Sequence, residues 1–208
     1  MPGKCRYFLT HTKLKGIRLS EKFEVRITAE RYIHNELSNC SWHFQQQANS
    51  KVEAGGGDAC ALDMMASLVF CAFKIEAKVN YVGWKTLQEG WPERANLREK
   101  IDLLRKTLGL KADWSTRPLQ TIAQLKRFRD TLAHGKPEIV DETKVTDVEP
   151  DVWDALKSQW QKSVQPSFMD RCREDEKQFW KVMLDAAGIE PHQTLTSGGQ
   201  SLTVMKTE

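Results

Sequence analysis

Three consecutive glycines, Gly55-Gly56-Gly57, precede Asp58, and the chain from there to Gly90 contains no proline and little that is polar all along one side. This feature constrains the fold most. Leu62, Met65, Val69, Phe73, Glu76, Asn80 and Gly83 recur at spacings of three or four, while Met64, Leu68, Cys71, Ile75 and Val82 fill a second stripe. Such spacing is that of an α-helix. A helix apolar on so much of its circumference must be covered on several sides, so it belongs at the centre of a bundle. Asp58 is placed to cap its start, and Trp91-Pro92 follows its expected end near Gly90.

The flanking segments supply the covering helices. Leu97, Ile101, Leu104 and Leu108 give Glu93–Leu108 one apolar face, closed by Gly109. Ser115-Thr116 is expected to cap a further helix that tolerates Pro118 in its first turn, carries Leu119, Ile122, Leu125, Phe128 and Leu132, and ends at Gly135 and Pro137. Phe23, Ile27, Tyr32, Leu37, Trp42 and Phe44 suggest a first helix over residues 21–47. Val152–Trp160 reads as a short helix, and Phe168–Ala187 as a last one. The expected fold is therefore all-α, a bundle of five or six helices over residues 21–187. Residues 1–20 are expected as an irregular N-terminal arm and residues 188–208 as a mobile polar tail.

Composition narrows the class. A length of 208 residues suits one domain with one substantial core. A hydrophobic share of 40% with 28% charged residues is that of a folding chain, and a net charge of +3 is too mild to signal nucleic-acid binding by itself. No run of about 18 apolar residues is present, nor an apolar leader at the N-terminus, so a soluble, cytoplasmic protein without membrane contact is expected. The five cysteines are scattered without zinc spacing, which argues against both a disulfide framework and a metal site. His11, His34, His43 and His192 fit no ligand pattern.

The chemistry-bearing segment is LKRFRDTLAHGKP, Leu125 to Pro137. It contains Arg129, the polar Asp130, three further residues and His134 near a helix end. This resembles the motif of the HEPN superfamily, and residues 67–83, SLVFCAFKIEAKVNYVG, are similar to the central helix that precedes the motif in that family. The resemblance covers roughly residues 58–137. It implies a helical bundle that forms a homodimer with two motifs facing each other. It also implies metal-independent, cofactor-free cleavage of RNA through the ribose 2′-hydroxyl, in a toxin–antitoxin, abortive-infection or stress-response setting. Other members of the family are non-catalytic modules that bind a nucleotide or a protein partner, an antitoxin among them.

The residue types suit that chemistry. An imidazole titrating near neutrality moves a proton to or from the reacting oxygens, and a guanidinium fork holds the scissile phosphate. His134 is thus the expected general acid/base and Arg129 the phosphate contact. Asp130 lies at (i, i+4) from His134 and is the expected orienter of its ring. Lys126, Arg127 and Lys136 are the expected substrate-binding cations. On an ideal helix Arg129 is turned roughly 140° from His134, whereas Arg127, at (i, i+7), shares its face and rivals Arg129 for the phosphate. Glu76 interrupts an apolar stripe and needs a partner; Arg129 is the expected one, with Asn80 a turn further on. The acidic run from Glu138 to Asp151 works against RNA, since it repels phosphate.

Overall fold

The computed structural model describes residues 22–56, 58–141, 143 and 155–207. It comprises a large helical unit, residues 31–198, and a small unit to which both ends of the chain contribute.

The central helix of the large unit is α2, Asp58–Leu87, and it packs against α1 (His34–Glu53), α3 (Leu97–Leu108), α4 (Leu119–His134) and the long C-terminal helix, labelled α6 below (Pro166–Ala187). That arrangement is what its two apolar stripes require. A short helix, α5 (Gln159–Ser163), lies against α4. The core is drawn from every long helix: Ala48 of α1, Leu68, Val79 and Val82 of α2, Ile101 and Leu104 of α3, Leu119, Ile122 and Leu125 of α4, and Phe179 and Met183 of α6.

Local chemistry fixes the helix ends. Gly55 and Gly56 take positive φ, and Gly56 N–H bonds the Lys51 carbonyl at 2.8 Å, closing α1 as only residues without a Cβ do easily. The start of α3 is set by Asn96, whose side chain accepts from Glu99 N–H while the Glu99 carboxylate accepts from Asn96 N–H. Gly135, at φ 56°, ends α4 as expected. The start of α4 differs from expectation. Ser115-Thr116 does not cap it; Asp113 instead accepts from the Ser115 backbone and hydroxyl, and Pro118 occupies the cap position.

α2 stops earlier than Gly90 because Gln88–Gly90 tightens into a 3-10 turn, which brings Trp91 back over the helix. A Cβ on Gly83 would lie 2.3 Å from the Trp91 ring. Asn80 accepts from the indole N–H at 3.3 Å.

Two further expectations are corrected. Residues 21–47 are not one helix: β1 covers Lys22–Arg31 and α1 begins at His34. The alternation Phe23, Val25, Ile27 with Glu24 and Arg26 has period two, which is the strand pattern. Residues 188–208, expected as a mobile polar tail, instead form a 3-10 turn, Pro191–Thr194, and a strand, β2, Ser197–Thr207, which pairs with β1. Backbone carbonyls of the turn are gripped by the bundle: Thr194 accepts from His34 Nε2 at 3.0 Å and Asn35 Nδ2 at 2.8 Å, and Gln193 accepts from the Tyr81 hydroxyl at 2.6 Å. The fold is accordingly mostly helical with one two-stranded sheet. Of the helix expected over residues 152–160, Val152 to Asp154 lie outside the described residues, Ala155 is helical and α5 begins at Gln159. The expected arm, residues 1–20, lies wholly outside them.

Candidate functional site

Helix α4 presents the motif residues to two different environments. On its inner flank Arg129 Nη2 donates to Glu76 Oε2 at 3.0 Å, Arg129 Nη1 lies 3.0 Å from Asp130 Oδ1, and Lys126 donates to Asp130. Two cations and two carboxylates thus form one chain of ion pairs, and the Arg129 guanidinium lies 5.9 Å from the Phe73 ring centre. The partnership of Arg129 with Glu76 is the expected one, but Glu76 is only half-buried. Asn80 plays no part in it, being used on Trp91.

On the outer flank are Arg127, Thr131 and His134, all exposed. Their spacing of four and three residues keeps them on one face. Asp130 does not orient the imidazole: both its oxygens are committed to Lys126 and Arg129. The helix rotation that separates His134 from Arg129 is therefore expressed in full, with Arg129 turned to α2 and His134 in solvent. The side chains of His134 and Lys136 are exposed.

Arg127 stands between two clefts. One, of about 630 Å³, is formed by α4, α5 and α6 and is lined by Arg127, Phe128, Thr131, Trp160, Lys162, Phe168 and Arg171. Arg171 Nη2 donates to Gln124 Oε1 at 3.1 Å, its guanidinium lies 5.1 Å from the Phe168 ring centre, and its buried Nε has no acceptor among the described residues. The other cleft, of about 550 Å³, runs between α3 and α4 past Arg98, Trp114, Lys126 and Arg127. Arg98 is stacked 4.8 Å from the Trp114 ring centre, and Trp114 donates to Asp102 at 2.7 Å.

Among the described residues neither lining includes a carboxylate. Both combine cations with aromatic faces, the pairing that serves a polynucleotide backbone and its bases. Most of the acidic run after Pro137 lies outside the described residues; Glu138, which is described, accepts from Gln159 N–H at 2.9 Å at the start of α5.

Sequence reading identified Lys126, Arg127, Arg129, Asp130, His134 and Lys136 but not Arg171, Lys162, Trp160 or Phe168. These lie on other helices, and no spacing within the motif points to them. Among the described residues no group of three His, Cys, Asp or Glu side chains could hold a metal ion, and no helix is long and apolar enough to cross a membrane. The described cysteines are unpaired, and burial raises the thiols of Cys71, to about 11, and of Cys172. Comparison with family models, curated protein sequences and solved structures finds no match for this chain.

Proposed function

We propose that the chain is a HEPN-like domain that binds RNA along the outer flank of α4 and cleaves it without a metal ion. In this reading Arg127, with Lys162 and Arg171, holds the phosphate backbone, and His134 moves the proton. The observation that carries it is the division of α4: Arg129 is held by Glu76 and Asp130, while Arg127 opens onto a cationic, aromatic cleft on the face it shares with His134.

The reaction needs two proton transfers. The 2′-oxygen attacks phosphorus as one imidazole takes its proton, and the bond to the 5′-oxygen breaks as a second, protonated imidazole gives that oxygen a proton. The products are a 2′,3′-cyclic phosphate and a 5′-hydroxyl. One chain offers one His134, so the second imidazole comes from a second copy in a homodimer. A guanidinium at the phosphate stabilises the charge that grows on its oxygens.

The engagement of Asp130 away from His134 favours a second reading, an RNA-binding module without cleavage. Incubation with mixed RNA in EDTA separates them. The nuclease reading predicts cyclic-phosphate ends from the wild type, none from His134→Ala, and a raised KM for Arg127→Ala. RNA binding without cleavage supports the module; absence of both defeats the proposal.

A further inference from the structure

We propose that the cavity between α1, α2 and α6, remote in sequence from the α4 motif, is a binding site for a phosphate-type oxyanion. It has a volume of about 230 Å³ and is lined by Trp42, Lys74, Lys78, Arg173, Glu176 and Lys177, among others. Among the described residues four cations therefore face one carboxylate.

Lys74 and Lys78 are buried on adjacent turns of α2, and both donate to Glu176, at 2.6 Å each. One carboxylate offsets only one of these charges, and a buried charge without an opposite partner is strongly disfavoured. Each ammonium has three donors and places one on Glu176; Lys78 also lies 4.7 Å from the Trp180 ring centre, and the remaining donors can serve an anion. Arg173 adds a third cation, 3.9 Å from the Trp42 ring centre and donating to Gln45 Oε1 at 3.2 Å. Gln45 in turn donates to Asp170 at 2.7 Å. Asp170 thus reaches the cationic group through Gln45. Lys177 is exposed at the mouth.

The charge selects the ligand and the volume limits it. A phosphate group carries up to two negative charges and several acceptor oxygens, which matches convergent ammonium and guanidinium donors. The cavity takes the phosphate group itself, with a larger substituent left in solvent outside the mouth, and is too small for a polynucleotide. Inorganic phosphate and a phosphomonoester share this chemistry.

Thermal unfolding of the full chain tests the site, with inorganic phosphate, a nucleoside 5′-monophosphate and sodium chloride compared at equal ionic strength. The site predicts a saturable rise in Tm of at least ~2 °C over chloride. Arg173→Gln and Lys177→Gln should each weaken the apparent affinity roughly ten-fold. Lys111→Gln, an equal change of charge at an exposed position elsewhere, should leave it within about twofold. Lys177→Gln alters only an exposed side chain and carries the test if Arg173→Gln does not fold. A response to the monophosphate alone assigns the phosphomonoester; equal responses assign the bare phosphate group. Phosphate and monophosphate acting no differently from chloride, or Lys111→Gln losing as much as Arg173→Gln, would overturn the proposal.

Discussion

Gly83 shows how one absent methyl group sets local structure. The Trp91 ring occupies the space a Cβ would need, and Asn80 holds the indole N–H in place. Gly83→Ala gains helix propensity yet must displace a buried ring. Overpacking outweighs propensity here, and the expected net loss is about 1–3 kcal/mol, read from denaturant midpoints with tryptophan fluorescence. An unchanged midpoint would mean that Trp91 is not seated on Gly83. Neither the clash nor the bond was legible in the sequence, because the 3-10 turn that folds Trp91 back ends α2 before Gly90. The pairing of Arg129 with Glu76 was legible: a carboxylate on an apolar stripe demanded a cation, and one stood on the apolar stripe of α4.

At the scale of elements, the helices were readable where apolar period and end signals agreed. In α3, Ile101 and Leu104 are fully buried and Gly109 marks the expected end, whereas the start lies at Asn96 and not at the expected Glu93. Asn96→Ala removes the side-chain half of a reciprocal cap and should cost about 1 kcal/mol, measured as a lower Tm with unchanged helicity at 25 °C. No change in Tm would show that the box does not stabilise α3. The strands were not readable because their alternation is short and their pairing is distant. Thr28 and Ser201, whose hydroxyls lie 2.6 Å apart, are separated by most of the chain. β1 is also exposed along its whole length, so no buried face advertised it. The cleft of α4, α5 and α6 was hidden for a similar reason: Arg127 was visible in the motif, whereas Lys162 and Arg171 join it only in three dimensions.

At the scale of the whole molecule, His34 and Glu176 are, among the described residues, buried titratable groups with shifted pKa values that bear on acid stability. His34 is buried beside Tyr32, Tyr81 and Trp180, and burial lowers its pKa below the usual 6.5 despite its bond to the Thr194 carbonyl. Its unfolded form therefore takes up a proton first, so stability falls as pH drops below 6.5 towards the folded value. Burial opposes charge on Glu176, but Lys74 and Lys78 outweigh it and hold its pKa below the usual 4.5. Its contribution is complete above 4.5 and lost as pH falls through the folded value. Calorimetry from pH 8 down to about pH 2 should show Tm falling in two stages. His34→Gln should remove the first. A Tm independent of pH below 6.5 would contradict the burial of His34.

The same molecule-wide view governs function, since the proposal assigns stability to one side of α4 and RNA to the other. Fluorescence anisotropy with labelled RNA, measured over a range of salt, tests that division directly, with Tm recorded for each variant. The account predicts that Arg127→Ala binds roughly ten-fold more weakly with a salt slope reduced by about 1 and an unchanged Tm. Arg129→Ala should bind like the wild type but melt lower, by an amount equivalent to about 1 kcal/mol. Loss of binding in Arg129→Ala at unchanged Tm, with Arg127→Ala indistinguishable from the wild type, would contradict it.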